Sequence, residues 1–328
     1  MNLNEIKASL GEDWKKVERG LRDALRSDIE FLEKTNESIL SNSGKMLRPL
    51  ISLLVAKACA PDGEIPESAT AFAVASELLH NATLFHDDVA DGSDCRRGSP
   101  TIMSLMGPSV SVLLGDYWLV KAMGKILEDE KHGFRVIKLF SKTLSDLAEG
   151  EMLQLQKADD GNTMMEDYIR IIFCKTASLF EASALSAAIA ADAPSSVEDA
   201  VTRYSVALGL AFQIKDDIFD YSPGMDVGKP VGVDILEKKI TLPLIGAFDN
   251  CPEREMEIRR GIVDMAKDDM SARDEVVSFV RENGGLEVAQ TSLESYIDAA
   301  VEAIRELPWS HWRDCLEGIA RFVGQRNK

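Results

Sequence analysis

The sequence predicts an all-α protein that folds as a single domain over residues 1–328. Three observations predict this class. Apolar residues recur at helical spacing along most of the chain, and the stretch that leads to an acidic cluster at residues 87–91 lacks strand-like alternation. Turn sequences such as PDGEIP separate the apolar runs. The chain contains neither a solenoid-type repeat nor a low-complexity linker, so one domain is expected.

Composition narrows the class of protein. The 328 residues are 45% hydrophobic and 28% charged, which is typical of a soluble globular chain. With 55 acidic and 37 basic residues, the formal net charge is −18, and this argues against a nucleic-acid-binding surface. The five cysteines are scattered, with no CxxC or Cys/His arrangement, and are expected to be reduced thiols of a cytoplasmic protein.

The N-terminal stretch is polar and amphipathic, so no signal peptide is predicted. No uninterrupted apolar run reaches the length of about 18 residues that suggests a membrane span. We therefore expect a protein of the cytoplasm without a transmembrane segment.

The first half of the chain predicts a succession of helices. Residues 3–39 have the spacing of two amphipathic helices. The sequence SNSGKMLRPL then predicts a loop and a helix start, with Pro49 in the first turn. Residues 50–60 form an apolar helix, and a long helix is expected from Ala69 to the acidic cluster.

The second half continues in the same way. Helices are predicted over residues 110–127, which contain GDYW, and over residues 144–156, where Glu151 and Gln154 have a supporting polar role. The long apolar segment of residues 168–191 predicts a central core helix. A Gly/Pro-broken loop follows a second acidic cluster, and the chain after about residue 251 alternates charged and apolar positions, as peripheral helices do.

The acidic cluster at the end of the long helix predicts a site for a metal-bound diphosphate. Asp87 and Asp91 lie one helical turn apart, with Asp88 beside them, and like charges at this spacing repel each other unless a cation lies between them. A solvated charged surface is the simpler interpretation. Against it, Mg²⁺ binds one or two carboxylates plus phosphate oxygens, and Arg96 and Arg97 follow at once with guanidinium groups suited to phosphate.

The same DDxxD spacing returns near residue 216. Asp216, Asp217 and Asp220 end another apolar helical run, and Gln213 lies one turn before them. Two such clusters on facing helices would hold several cations around one polyanion, which makes the pair a much more specific signal than one cluster alone.

These two motifs, together with the arginine pair, resemble those of the trans-isoprenyl diphosphate synthases, the head-to-tail prenyltransferases. The resemblance extends from about Gly44 to Pro243, and the remainder carries little signature. It implies a many-helix bundle around a deep central cavity, a homodimer, and about three Mg²⁺ ions per active site. The resemblance also implies that the metal ligands come from six residues: Asp87, Asp88, Asp91, Asp216, Asp217 and Asp220.

The resemblance assigns one set of residues to isopentenyl diphosphate. The segment GKMLRP matches the family's Gly-Lys-x-x-Arg-Pro, although many members have a second basic residue where this chain has Met46. A helix N-terminus also favours anions. The implied ligands of isopentenyl diphosphate are Lys45, Arg48, His80 and Arg97. The other histidine on this helix, His86, is expected to be structural.

A second set is implied for the allylic diphosphate. Its members are Arg96, Lys175, Thr176, Gln213, Lys229 and Lys239. Lys175 would be costly to bury unpaired in an apolar helix, and the diphosphate supplies the missing counter-charge. Lys229 and Lys239 match a lysine-bearing lid that closes on the diphosphate, and Asp234 is part of the same pattern. The basic chain end, with Arg326 and Lys328, could reach a closed site, although a frayed terminus is the stronger expectation.

The implied reaction is ionisation, condensation and elimination. Loss of pyrophosphate from the allylic substrate leaves an allylic cation, which the double bond of isopentenyl diphosphate attacks before a proton is lost. The residues expected to be catalytic are Asp87, Asp91, Asp216, Lys175 and Arg96. Thr176 and Gln213 are candidates to stabilise the cation, and the departing pyrophosphate is thought to accept the proton.

Product length is predicted from the helix before the first motif. Short-chain members of the family place an aromatic residue at one of the two positions that match Ala82 and Thr83, and both are small here. Leu79 and Ser76 follow further down the same helix. We therefore expect a medium- to long-chain all-trans product.

Four alternatives remain at this stage. A short-chain farnesyl or geranylgeranyl synthase would need a deeper aromatic block, such as one from the helix of Trp118. A terpene cyclase has no use for the second anion site. A metal phosphohydrolase would use the pair His86 and Asp87, but the chain has only four histidines and no second cluster. A non-catalytic subunit of a hetero-oligomeric synthase would usually have lost aspartates that this chain keeps.

Overall fold

The computed structural model describes residues 2–42, 44–60, 64–96, 98–222, 231–266 and 269–326, and its regular structure is almost entirely helical. The predicted all-α class is therefore confirmed. The α-helices are α1 (Leu3–Leu10), α2 (Glu12–Ala24), α3 (Glu30–Ser41), α4 (Leu47–Cys59), α5 (Glu67–Ala90), α6 (Ile102–Met106), α7 (Pro108–Leu127), α8 (Gly133–Asp160), α9 (Met165–Ile172), α10 (Ser178–Ala190), α11 (Ser195–Asp220), α12 (Val233–Leu236), α13 (Leu242–Asn250), α14 (Glu255–Asp264), α15 (Met270–Glu282), α16 (Gly285–Arg305) and α17 (His311–Gln325).

Within the described residues, short elements of other kinds interrupt the α-helical pattern at three places. A π-helical turn, Phe173–Ala177, joins α9 to α10, and a 3₁₀ turn, Pro252–Arg254, precedes α14. Two antiparallel strands of two residues each, β1 (Cys95–Arg96) and β2 (Ser99–Pro100), form a small hairpin after α5.

The chain divides into two compact units. The first comprises Met1–Lys142, Leu179–Arg203 and Ala303–Ile319. The second comprises Thr143–Ser178, Tyr204–Glu302 and Ala320–Lys328. The expectation of one domain over residues 1–328 stays a prediction.

Helix α5 is the central helix of the first unit. Its side chains from Phe72 to Leu79 are all buried, and all but Ser76 and Glu77 are apolar, as expected of a core helix. Trp118 of α7 packs edge-on against Phe85 of α5, with ring centroids 5.4 Å apart, and its indole Nε1 donates to Asn36 Oδ1 at 2.9 Å. Because this ring is fully buried in these contacts, it has a packing role between α5 and α7.

The prediction of two helices before the GKMLRP segment was wrong, because the structure has three. Gly11 adopts φ +54°, a conformation that L side chains rarely adopt, and it ends α1 and starts α2. A further break separates α2 from α3, which begins at Glu30. Apolar periodicity continues across Gly11, so it does not reveal this boundary.

In the second unit, the predicted core helix over residues 168–191 is divided by the π-helical turn. By length and composition the stretch Met165–Ala190 would be able to cross a membrane, but 78% of its most apolar window is buried inside the protein. Gly209 of α11 allows this close packing, since a Cβ there would lie 2.5 Å from the Ala177 Cα. The segment is thus packed as a core helix of its unit.

Candidate active site

The first aspartate motif lies at the C-terminal end of α5. Asp91 caps the helix, and its N–H donates to the Asp87 carbonyl oxygen at 2.8 Å. The side chain of Asp87 is half-buried and that of Asp91 is exposed. These two carboxylates are therefore the accessible ones of the first motif.

Asp88 differs from its neighbours because it is buried and paired. Its relative exposure is 4%, and its Oδ1 accepts from both Nε and Nη2 of Arg96 at 2.8 Å. The β1–β2 hairpin carries Arg96 back to the end of α5. The charge of Arg96 thus balances a buried carboxylate within the motif. Its predicted contact with a diphosphate stays a prediction, and Arg97 lies outside the described residues.

The two histidines of α5 are in different environments. His86 packs directly on α7, where a Cβ at Gly115 would lie 2.4 Å from His86 Nε2. Gly115 therefore allows close helix packing, and the GDYW sequence lies inside α7, within the helix predicted over residues 110–127. His80 is half-buried two turns before Asp87, and its contact with isopentenyl diphosphate stays a prediction.

The predicted ligands of isopentenyl diphosphate at the start of α4 surround a strained residue. Met46 is the N-cap of α4 and has φ +50° and ψ +50°, which is uncommon for a residue with a side chain. Lys45 is exposed beside it. Arg48 is half-buried, and its guanidinium lies 4.7 Å from the centroid of the Phe180 ring. Strain of this kind often occurs at ligand-binding segments.

The residues expected to set product length are largely enclosed. Leu79 and Ala82 are 0% and 1% exposed, whereas Thr83 is half-buried and its hydroxyl donates to the His80 carbonyl oxygen at 2.8 Å. Ser76 is also buried and donates to the Ala73 carbonyl oxygen. Their predicted role in setting product length stays a prediction.

The second aspartate motif ends α11, and its middle aspartate is again buried. Asp217 is 3% exposed. Its Oδ1 accepts from Gln213 Nε2 at 2.9 Å, and its Oδ2 accepts from the Tyr168 hydroxyl at 2.6 Å. Gln213 Oε1 in turn accepts from the Thr176 hydroxyl at 2.7 Å. Four side chains from α9, the π-helical turn and α11 thus form one hydrogen-bonded chain.

Burial is the main cause that raises the pKa of Asp217, to about 8, and the nearby carboxylate of Asp234 adds to it. The hydrogen bonds from Tyr168 and Gln213 act in the opposite direction, because they favour the ionised carboxylate. Burial, together with the Asp217 charge, also raises the pKa of Tyr168 well above its ordinary value, so this phenol remains a hydrogen-bond donor at neutral pH.

Asp216 is half exposed and pairs with the chain's C-terminal segment. Arg326 Nη2 donates to Asp216 Oδ1 at 2.6 Å and to the Phe212 carbonyl oxygen at 2.8 Å. The guanidinium also stacks on the Phe212 ring at 3.9 Å. The prediction that this basic end frays was therefore wrong for Arg326, which is buried, and Lys328 lies outside the described residues.

Asp220 anchors the chain that follows the motif. Its two carboxylate oxygens accept from the backbone N–H groups of Val233 and Asp234 at 3.0 and 3.1 Å, at the N-terminus of α12. Lys239 forms an ion pair with Glu237. Lys229 lies outside the described residues, so the predicted lysine-bearing lid is only partly described.

Lys175 lies in the π-helical turn and already has partners. Its Nζ forms an ion pair with Glu151 of α8 and donates to Gln154 Oε1 at 3.1 Å. The sequence-based argument that a diphosphate must supply its counter-charge was therefore wrong, since α8 supplies a carboxylate. Its contact with the allylic diphosphate stays a prediction.

The carboxylates that remain accessible fit a hard cation. Within the described part of the chain, no three His, Cys, Asp or Glu side chains converge as a preformed metal cage. Mg²⁺ needs no such cage, because it typically takes one or two carboxylates and completes its shell with water and phosphate oxygens. Asp87 and Asp91 of the first motif, and Asp216 of the second, suit this mode of binding.

Three residues of the site were not predicted from the sequence, or were given too small a role. Tyr168 lies two turns before Lys175, a spacing typical of any buried helix face. Glu151 was assigned only a supporting role, and Arg326 was expected to fray. The importance of each residue becomes clear only from the side chain that it contacts. That side chain is 24 to 110 residues away in the sequence, so no local pattern reveals the contact. The aspartate motifs and these neighbouring polar side chains have the chemistry expected of a protein that binds divalent metal and diphosphate.

Comparison with known proteins identifies the family. The family model described as polyprenyl synthetase matches residues 29–280. The chain therefore belongs to the polyprenyl synthetase family, which confirms the resemblance seen in the motifs.

Individual relatives are similar along the whole chain. The octaprenyl diphosphate synthase of Escherichia coli (strain K12) is 34% identical over 330 residues, covering 100% of both chains. The crystal structure of a polyprenyl synthase from Caulobacter crescentus CB15, complexed with calcium and isoprenyl diphosphate, has a TM-score of 0.90 at 30% identity and covers 100% of this chain and 98% of that one. A decaprenyl diphosphate synthase from Rhodobacter capsulatus has a TM-score of 0.89 at 31% identity, with 100% of both chains covered. These relatives agree with the predicted medium- to long-chain prenyltransferase.

Proposed function

We propose that this protein condenses isopentenyl diphosphate head-to-tail with an allylic diphosphate, releasing pyrophosphate and an all-trans polyprenyl diphosphate of medium to long chain. The observation that supports this most strongly is the retention of both aspartate motifs, each at the end of a core helix, in a chain similar over its full length to an octaprenyl diphosphate synthase.

Asp87, Asp91 and Asp216, with Asp220 directly or through water, would hold about three Mg²⁺ ions. Bound Mg²⁺ acts as a Lewis acid that offsets negative charge on a leaving pyrophosphate. A relative solved with calcium and isoprenyl diphosphate supports the use of a divalent cation.

The protein's own cations bind and orient the substrates. Lys45 and Arg48 at the start of α4, together with His80 and Arg97, would hold isopentenyl diphosphate. Lys175 would hold the allylic diphosphate through an ammonium that Glu151 keeps in place. Fixed positive charge beside a leaving group stabilises the transition state because it needs no reorganisation during the reaction.

A further part of the proposal is that the enzyme is a homodimer of the cytoplasm. Helix α7 supports the dimer, since Leu113, Val120 and Leu127 recur every seven residues and are 68%, 69% and 59% exposed. Such a stripe is typical of a helix face that packs against another chain.

The function is tested by incubating purified protein with Mg²⁺, labelled isopentenyl diphosphate and farnesyl diphosphate, and measuring product chain length. We expect products well beyond twenty carbons. A product that stops at twenty carbons would overturn the chain-length proposal, and no incorporation with any allylic primer would overturn the proposed activity.

The metal assignment is tested by Asp87→Ala, with Asp249→Ala as the matched control. Asp249 is an exposed aspartate near the end of α13 that belongs to neither motif. We expect Asp87→Ala to abolish turnover while the circular dichroism spectrum is unchanged, and Asp249→Ala to retain turnover. Retained activity in Asp87→Ala would rule out this assignment.

A further inference from the structure

Tyr168 is the one member of the hydrogen-bonded chain at the second motif that neither the sequence motifs nor the proposed mechanism uses. It is 2% exposed, and its hydroxyl lies 2.6 Å from Asp217 Oδ2. A short hydrogen bond between a buried phenol and a buried carboxyl group restricts the rotation of both side chains. Tyr168 therefore fixes the carboxylate of Asp217 firmly.

The orientation of Asp217 determines the orientation of Gln213. Gln213 directs its NH₂ group to Asp217, since its Nε2 donates to Asp217 Oδ1 at 2.9 Å. The amide oxygen of Gln213 then faces the other way, where the Thr176 hydroxyl lies at 2.7 Å.

The orientation of Gln213 in turn determines that of Thr176. A hydroxyl has one proton to donate, and the Thr176 proton is directed to Gln213 Oε1. The lone pairs of Thr176 Oγ1 are then left for an electron-poor partner. If the Gln213 amide rotated by half a turn, its NH₂ group would face Thr176, and a lone pair of the threonine would be taken up by that donor instead.

We propose that Tyr168 is a positioning residue that acts through Asp217 and Gln213 to keep the lone pairs of Thr176 available to the allylic cation. The proposal rests on the proposed prenyl transfer. It assigns Tyr168 an effect on the chemical step rather than on substrate binding, because Tyr168 reaches the reacting atoms only through Thr176.

The test is a double-mutant cycle that combines Tyr168→Phe with Thr176→Val, each of which removes a hydroxyl with little change in shape. Single-turnover rates are measured with farnesyl diphosphate and isopentenyl diphosphate. Binding is measured separately with farnesyl thiodiphosphate, which ionises slowly. We expect Tyr168→Phe to lower the single-turnover rate about tenfold, with the dissociation constant unchanged within about twofold.

The proposal is decided by whether the effects of Tyr168→Phe and Thr176→Val on the single-turnover rate depend on each other. In the Thr176→Val background, Tyr168→Phe should change the rate less than twofold, since the hydroxyl that it orients is already absent. Equal effects of Tyr168→Phe in both backgrounds would overturn the proposal, as would a loss confined to binding. A wild-type protein that does not turn over would contradict the proposed function instead.

Tyr204→Phe is the matched control, since Tyr204 is a fully buried tyrosine of α11 that does not belong to this hydrogen-bonded chain. We expect its single-turnover rate to equal that of the wild type. If Tyr168→Phe does not fold, as judged by circular dichroism, Asp217→Ala interrupts the chain one residue nearer to Thr176. In the same cycle, Asp217→Ala must show the same coupling to Thr176→Val, and additive effects would again overturn the proposal.

Discussion

The middle aspartate of each motif is buried and bound by protein donors, whereas the first is at least partly accessible. Asp88 accepts from Arg96, and Asp217 accepts from Tyr168 and Gln213. A carboxylate whose oxygens are already occupied must give up those bonds before it binds a metal ion directly. We therefore expect the middle aspartates to orient the motif, whether or not they also bind metal.

The raised pKa of Asp217 predicts a pH-dependent stability of the metal-free protein. The pKa of Asp217 in the folded state, about 8, is above the ordinary value of an aspartate. Its favourable contribution to the free energy of unfolding is therefore complete below about pH 4 and is lost as the pH rises through 8. Asp217→Asn removes this titration. In urea unfolding with EDTA, the variant should gain stability relative to the wild type between pH 5 and 8.5, and a constant difference would contradict the assignment.

Ala82→Phe is expected to shorten the product. Ala82 is the small residue one helical turn before His86 and next to Thr83, where short-chain family members have an aromatic residue, and a phenyl ring there should block elongation. Chain-length analysis of the products checks this outcome. The melting temperature must be measured as well, because Ala82 is 1% exposed and a larger side chain costs about 1–3 kcal/mol where it overpacks. A folded variant with an unchanged product would reject the prediction.

For individual residues, the sequence predicts the site where the local pattern is itself unusual, as in a cluster of like charges. Repulsion between Asp87 and Asp91 is visible from spacing alone. The partners of Lys175 and Asp216 are not, since Glu151 and Arg326 belong to other helices or to the chain end and are brought near by packing. The sequence alone therefore cannot show whether a charged residue such as Lys175 has an ion-pair partner; the three-dimensional structure shows it.

Among the elements, the π-helical turn is the least ordinary. It carries Lys175 and Thr176, and two glycines of neighbouring helices pack against it. A Cβ at Gly150 would lie 2.5 Å from Cys174 Cβ, and one at Gly209 would lie 2.5 Å from Ala177 Cα. Short π-helical segments inside α-helices are frequently found at functional sites. Close packing from two sides holds this one in place.

Gly209→Ala tests this packing. The added methyl group meets the Ala177 backbone, which cannot rotate away, so we expect a loss of about 1–3 kcal/mol in the free energy of unfolding. Turnover should fall with it, because Thr176 is the neighbour of Ala177. The control is Gly261→Ala in α14, where a Cβ meets nothing within 4 Å and the substitution should be neutral or stabilising. Equal stability of the two variants would contradict the packing argument.

The positions of most helices are predictable from apolar periodicity, as α5 and α7 show. The π-helical turn is not, because π and α turns differ by one residue in hydrogen-bond register and bury the same apolar side chains. The boundary at Gly11 is missed for a related reason, since the apolar pattern continues on both sides of it.

For the whole molecule, the exposed stripe on α7 predicts the oligomeric state. Leu113→Asp combined with Val120→Asp places two charges on this stripe, and burying them between two chains would be costly. Sedimentation analysis should show a dimer for the wild type and a monomer for the variant. Met256→Asp, at a residue of α14 that is 75% exposed, serves as the control and should remain dimeric. A variant that stays dimeric would place the interface elsewhere.

The π-helical turn also has a consequence for how such a chain changes through insertion and deletion. A helix that gains one residue without gaining length bulges locally into a π turn, so Phe173–Ala177 has the form of a one-residue insertion. Deleting one residue here would restore a regular helix and leave its two halves on their present faces, because the bulge absorbs the extra residue. Deleting a residue elsewhere between Tyr168 and the core residues of α10 would rotate the two sides of the deletion by about 100° relative to each other. Where a relative lacks one residue in this segment, its alignment with this chain should therefore place the gap between residues 173 and 177.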